Sequence, residues 1–154
     1  MKQEYGFVDY IEQSIIKNWD NNALTDYKGV TYQYKDVARK IEKIHILFDE
    51  VGVERGDKIA ICGRNCTHWA VAFLATLTYG AVAVPILHEF TPENVHYIVN
   101  HSEAKLLFCG DVVGPTLTPD EMPALDGIIN IEDFSMMIDR KEALNVEREH
   151  LNEY

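Results

Sequence analysis

Apolar residues recur every fourth position at the start of the chain. Phe7, Ile11, Ile15 and Trp19 make one stripe of an amphipathic helix over Tyr5 to Trp19, ended by the turn-forming Asn18, Asp20, Asn21 and Asn22. Two short β-prone runs follow, Ala23–Tyr27 and Val30–Tyr34. With Lys28-Gly29 between them they read as a hairpin. The period then lengthens again. Val37, Ile41, Ile44, Phe48 and Val51 form one seam of a second helix, which Gly52 stops.

Gly56-Asp57 turns the chain into Lys58–Cys62, a compact buried strand. Asn65 is placed to cap the next helix, where Trp69, Phe73, Leu74 and Leu77 form one face. Val71, Ala72 and Ala75 make its other side nearly as apolar, so deep burial is expected. Gly80 suits a left-handed C-cap. Ala81–Val84 is an uninterrupted apolar run, the mark of a strand covered on both faces. Pro85 has no N–H for a ladder and is expected at the strand's end. Beyond the loop His88-Glu89-Phe90, Thr91-Pro92 supplies a hydroxyl N-cap and a proline at the first helical position. That helix, with Val95, Ile98 and Val99 inward, leads to a third strand, Ala104–Cys109, ending at Gly110-Asp111. Gly114-Pro115 and Pro119–Pro123 read as loop, Gly127–Ile131 as a further strand and Asp133–Ile138 as a short helix. Arg140–Tyr154 is charged and reads as a helix without its partner.

Over residues 57–109 the order is thus β-α-β-α-β, with connections too long for hairpins. Parallel strands with right-handed crossovers are the expected solution. The fold class is α/β, a doubly wound, mainly parallel sheet with helices on both faces. One domain is expected over 1–154. Its parts are a helix-hairpin-helix lead-in (1–55), a β-α-β core (56–131) and an acidic, helical tail (132–154). Ligands of such sheets bind beyond the carboxyl ends of the strands, which makes His88-Glu89-Phe90 the first place to look for function.

Composition changes this picture little. The chain has 154 residues, 47% hydrophobic and 25% charged, ordinary for a globular protein. Its net charge of −11 excludes a binder of nucleic-acid phosphates. Residues 120–154 carry 10 acidic and 3 basic groups against 15 and 11 in residues 1–119, which reads as a solvated acidic surface. Three cysteines without a framework spacing fit a reducing compartment. Met1-Lys2-Gln3-Glu4 does not resemble a signal peptide, and no apolar run is long enough to span a bilayer. A cytoplasmic location is expected.

The candidate chemistry is sparse. Cys62 and Cys66 enclose three residues, off the thioredoxin-type spacing, and read as structural thiols. A helix N-terminus lowering the pKa of Cys66 is the alternative. His96 and His101 are five apart, off the spacing of a helical zinc pair, and no metal site is expected. Gly63-Arg64-Asn65 is a strand-to-helix turn that either holds an anion or simply turns and caps. His88 beside Glu89 suits acid–base work, but nothing supplies a nucleophile. Shaping a ligand entrance is the better reading, and no catalytic residue is assigned.

The order of landmarks nevertheless resembles one family. Thr31-Tyr32-x-Tyr34-x-Asp36-Val37 is similar to the "TYxEL" opening of adenylate-forming enzymes. Gly56-Asp57-Lys58-Ile59-Ala60-Ile61 with Asn65 and Trp69 resembles their "GDxVAI…N…W" segment. Phe73-Leu74-Ala75-x-Leu77-x-Tyr79-Gly80-Ala81-Val82-x-Val84-Pro85 resembles "FLAxLxAGAVxVP", and Thr91-Pro92-Glu93 resembles "tpEe". Asn100–Phe108 is similar to long-chain acyl-CoA synthetases. The chain is identified as resembling the N-terminal part of the fatty acid–CoA ligase branch of the AMP-binding superfamily.

The resemblance implies a parent enzyme that joins a fatty acid to ATP, with Mg2+, and passes the acyl group from AMP to coenzyme A. The family's phosphate loop, its adenine and ribose motifs and its catalytic lysine do not occur in these 154 residues. The chain alone is therefore expected to be inactive and to bind none of ATP, Mg2+ or CoA tightly. Its implied partners are the fatty acid, ATP and CoA of the intact enzyme, the rest of the adenylation domain and, through bare apolar surface, itself. The intact enzyme is expected in the cytoplasm, with peripheral membrane association as a further expectation. By resemblance, His88, Glu89 and Phe90 lie beside the coenzyme A path. His88-Glu89 stands where relatives have two glycines, which leaves side-chain contact through His88 as the surviving version. Alternatives are a free-standing flavodoxin-like binding module, or a piece of a 4-coumarate-like or amino-acid-activating enzyme.

Overall fold

The computed structural model describes residues 5–141. Helix α1 (Phe7–Lys17) is followed by an antiparallel hairpin of β1 (Asn22–Thr25) and β2 (Thr31–Gln33), then by helix α2 (Tyr34–Val51). Five strands make the main sheet: β3 (Lys58–Cys62), β4 (Val82–Ile86), β5 (Leu106–Cys109), β6 (Gly127–Asn130) and β7 (Met136–Asp139). Helix α3 (Thr67–Tyr79) joins β3 to β4, and α4 (Pro92–Ser102) joins β4 to β5. The spatial order is β4-β3-β5-β6-β7, parallel except for the antiparallel pair β6·β7.

Alternate residues of the central strands face two cores, as fully covered strands require. Ile59, Ile61, Leu106, Phe108 and Ile129 pack with α2 and α3. Ala60, Cys62, Leu107, Cys109 and Ile128 pack with Val95 and Val99 of α4 and with Val113, Leu117, Met122 and Leu125 of the following turns. Helices therefore cover both faces of a mainly parallel sheet. The α2 seam is buried as its spacing predicts, and Gly52 closes the helix at φ 84°.

Helix α3 is deeply buried, with no exposed residue from Cys66 to Ala81. Its two apolar faces are buried unequally. The small residues Val71, Ala72 and Ala75 are fully buried, and the larger Trp69, Phe73, Leu74 and Leu77 are half-buried. Small side chains let the helix backbone approach its neighbours closely, which pushes the bulky ones to the flanks.

Four local expectations are corrected. The strand expected over Ala81–Val84 is not covered on both faces: β4 is the edge strand, with Val82 45% exposed and Ala83 and Val84 half-buried. Cys66, not Asn65, caps α3, its Sγ accepting the Trp69 N–H at 3.4 Å. Pro85 lies inside β4 rather than at its end. The Val82 N–H donates to Asp57 of the β3 side, so by alternation Ala83 and Pro85 point to the free edge, where a missing N–H costs no ladder bond. Finally, Asp133–Ile138 is not a helix, nor is the described part of the acidic tail. Asp133 accepts both the N–H and the hydroxyl of Ser135, and Phe134 takes φ 59°, a turn that sends Met136–Asp139 back as β7. The sheet thus extends beyond residue 131. The helix expected over Arg140–Tyr154 lies, apart from Arg140 and Lys141, outside the described residues.

No residue of α1 is buried. Ile11 and Ile15 are half-covered, but Phe7 and Trp19, the ends of the expected stripe, are 64% and 41% exposed. Among the described residues no helix is long and apolar enough to cross a membrane.

Candidate functional site

After β3 the chain runs through α3 to β4 on one side, whereas after β5 it continues to β6 on the other. The carboxyl ends of β3 and β5 therefore form a topological switch point, where such sheets open a crevice. A cavity of about 300 Å3 lies there, between the turns Gly63–Cys66 and Gly110–Val113, with Tyr27, His88 and Glu132 completing its walls. A second cavity, of about 420 Å3, adjoins it and is lined by Trp69, Pro85, Leu87 and Glu89. Gly63, Arg64, Asn65 and His88 belong to both.

The expected site residues divide here. His88 stands between the two cavities and Glu89 lines the second, with His88 Nε2 3.9 Å from Glu89 Oε1 and Glu89 largely in solvent. Phe90 lines neither. Its N–H closes a turn onto the Leu87 carbonyl at 3.1 Å, and Thr91 then caps α4 by accepting the Asn94 N–H.

Three carboxylates at the crevice escaped sequence reasoning. Asp111 accepts an amide N–H of Asn130 at 2.8 Å, and Asn130 Oδ1 accepts the Glu132 N–H. Asp111 lies two residues beyond the end of β5, so the strand-end rule that singled out His88 pointed to it too. Asp26 arrives from the hairpin with no local clue. Its carboxylate accepts the Thr67 N–H at 2.8 Å and the Thr67 hydroxyl at 3.0 Å. That contact answers the question left at Gly63-Arg64-Asn65: the positive end of α3 is already neutralised by a carboxylate of the chain itself.

The remaining candidates have structural roles. All three cysteines are free thiols. Burial pushes Cys62 up to about 11 and Cys109 up to about 12. Burial also raises Cys66, with Asp26 and Glu132 adding to it against hydrogen bonds from the Trp69 and His68 N–H groups. The helix terminus therefore does not activate Cys66. His68 stacks on Tyr32 and Phe134, its Nδ1–H donating to the Ile131 carbonyl at 2.7 Å. His96 Nε2 accepts the Thr118 N–H, and His101 stacks on Tyr97. Among the described residues no group of three or more His, Cys, Asp or Glu side chains is arranged to hold a metal.

A model of the AMP-binding enzyme family matches residues 11–152. The chain belongs to that family. This AMP-binding chain is 29% identical over 139 residues to long chain acyl-CoA synthetase 1 of Arabidopsis thaliana, covering 81% of itself and 21% of that protein. It is 26% identical over 131 residues to the medium-chain fatty-acid–CoA ligase of Escherichia coli strain K12, covering 80% of itself and 23% of the ligase. It spans about a fifth of the length of these curated relatives. A crystal structure of the anthranilate CoA ligase AuaEII in complex with anthranoyl-AMP superposes with a TM-score of 0.76 at 20% identity, over 84% of this chain and 25% of that one. This last likeness is one of fold.

Family members use ATP, Mg2+ and CoA. The crevice of this chain does not fit the triphosphate. An anion entering it would meet Asp26, Asp111 and Glu132 against the single guanidinium of Arg64, beside a helix terminus already satisfied.

Proposed function

We propose that this chain is the N-terminal portion of a long-chain fatty acid–CoA ligase. Such an enzyme converts ATP, fatty acid and CoA through an acyl-adenylate to acyl-CoA, AMP and pyrophosphate. The observation that carries the reading is the similarity to a long chain acyl-CoA synthetase over 139 residues, joined by the run Asn100–Phe108. In this reading residues 1–154 are one piece of a larger adenylation domain and catalyse nothing alone. Their contribution is a rigid sheet whose carboxyl edge offers a lip to the coenzyme A or acyl path. His88 and Glu89 are its side-chain contacts, beside the indole of Trp69. Phe90 acts only through the turn it closes. A cytoplasmic enzyme that meets its lipid-derived substrate at the membrane surface belongs to the same proposal.

The test is acyl-CoA formation by the intact enzyme across medium- to long-chain fatty acids, beside ATP–pyrophosphate exchange by the 154-residue chain. Highest kcat/KM on long chains and no exchange by the chain are expected. Exchange by the chain alone, or a preference for aryl or amino acids, would overturn the reading.

A further inference from the structure

Cys62 and Cys109 are the last residues of β3 and β5, and they are partners in the parallel register of those strands. Residues opposite one another in such a pair point to the same face of the sheet. Both thiols accordingly lie in one core layer, with Val95, Leu107 and Val113, and both are wholly buried. Burial raises their pKa values, and the closeness of Cys62 raises Cys109 further. Cys62 donates only weakly, from Sγ to the Leu87 carbonyl at 3.8 Å. Cys66 is engaged elsewhere, its Sγ accepting the Trp69 N–H at the start of α3. Spacing along the chain pairs Cys62 with Cys66, whereas the sheet pairs it with Cys109.

We propose that Cys62 and Cys109 are a modification site, a reversible disulfide that joins the carboxyl ends of β3 and β5 beneath the crevice. Neighbouring strands lie about 4.8 Å apart, within the Cα separation of about 4.4–6.8 Å that a disulfide spans. The β-carbons, side by side at nearly the strand spacing, must close toward about 3.8 Å. This pair ends the ladder, and Gly63 and Gly110 follow it, so the pinch is confined to the strand ends. The strain that remains makes the bond easy to reduce, as a regulatory disulfide in a reducing compartment must be. The oxidant is a peroxide, small enough to enter the crevice, whose walls begin at Gly63 and Gly110, one residue beyond each thiol. The Cys62 thiolate attacks one peroxide oxygen, the O–O bond breaks, and the departing hydroxide leaves with a proton as water. The Cys109 sulfur then displaces the hydroxyl of the Cys62 sulfenic acid. The S–S bond forms, the S–O bond breaks, and the thiol proton leaves in a second water. Two thiols give up two electrons, and hydrogen peroxide becomes two waters. With the thiols at about 11 and about 12, little thiolate is present at neutral pH, so the site answers sustained rather than brief oxidation. The bond draws the two wall turns together and narrows the crevice. Its effect on coenzyme A or acyl binding rests on the function proposed above; the bond itself does not.

Trypsin reads the connectivity directly. Cleavage after Lys58, Arg64, Lys105 and Arg140 puts Cys62, Cys66 and Cys109 in three different peptides, 59–64, 65–105 and 106–140. The folded 154-residue chain is exposed to graded hydrogen peroxide, its remaining thiols are blocked with N-ethylmaleimide in denaturant, and it is digested without reductant. A linked pair of 59–64 with 106–140 is expected, separated again by dithiothreitol, retained in Cys66→Ser and lost in Cys109→Ala. Mapping of the parent chain decides the matter whether or not the alanine variant folds. Linkage of Cys66 in place of the Cys62–Cys109 bond overturns the site. So does the absence of linkage while circular dichroism shows the fold intact, or linkage formed only in urea. In the intact enzyme, peroxide is expected to raise the KM for coenzyme A or the acyl substrate severalfold, with recovery in dithiothreitol and no such rise in Cys109→Ala. Unchanged KM values with the bond formed overturn the narrowing, and the peptide map stands whatever the substrate.

Discussion

Asp26 and Thr67 are joined twice across the fold, the Asp26 carboxylate accepting both the backbone N–H and the hydroxyl of Thr67. The pair pins the tip of the β1–β2 hairpin to the start of α3 and so fixes one wall of the crevice. Thr67 is buried, and removing its acceptor strands two donors. Asp26→Ala is expected to lower the unfolding free energy by about 1–3 kcal/mol, read from urea denaturation. Asp26→Asn keeps an acceptor and should lose less. Sulfate should raise the Tm of Asp26→Ala more than that of the parent, because the helix terminus is then open to an external anion.

Gly127 leaves no room for a side chain between β5 and β7. A Cβ there would stand 2.8 Å from the Ile138 carbonyl oxygen and 2.5 Å from Met136 Cε. The methionine can swing aside, but the carbonyl belongs to the paired strand β7. Gly127→Ala should therefore cost about 1–3 kcal/mol of stability by forcing β6 and β7 apart. Increased amide exchange confined to Met136–Asp139 would accompany it.

His45 gives the fold a pH dependence of known sign. Burial holds its pKa below the ordinary 6.5, against an opposing hydrogen bond to the Ala75 carbonyl. Well above 6.5 neither state binds the proton and the contribution is complete. As pH falls through 6.5 the unfolded chain protonates first, and stability is lost down to the folded-state pKa. Thermal unfolding from about pH 7.5 to about pH 5 should show the decline, and His45→Gln, which keeps an N–H donor, should flatten it.

The His88-Glu89 lip is tested in the intact enzyme by changing both residues to glycine. A raised KM for coenzyme A or for the acyl substrate, with little change in kcat, is expected from a contact that binds rather than reacts. Unaltered KM values for every substrate would leave the loop structural.

The sheet was legible because its central strands are unbroken apolar runs. Ile59–Cys62 and Leu106–Cys109 bury both faces and so leave no competing period to misread. Errors fell where one residue supports two local structures. Asp133 is as good an opener of a helix as of a tight turn, and only pairing of Met136 and Ile138 with β6 decides between them. Two apolar faces announced the deep burial of α3, but only contact distance decides that the face of small residues, Val71, Ala72 and Ala75, is the fully buried one. At the crevice the strand-end rule reached His88 and Glu89. It could not reach Asp26, whose position depends on a hairpin docking 41 residues away.

Pro85 carries a consequence for how the protein behaves in crowded solution. Strand β4 borders the sheet, and Val82–Ile86 contains no charged side chain to discourage stacking of sheets edge to edge. With Val82, Val84 and Ile86 turned toward β3, Ala83 is left as the one N–H donor that β4 directs outward. A template for fibril growth needs a regular row of donors, and a single imino acid interrupts it. The ring that cannot complete a ladder keeps the ladder from being continued by a stranger.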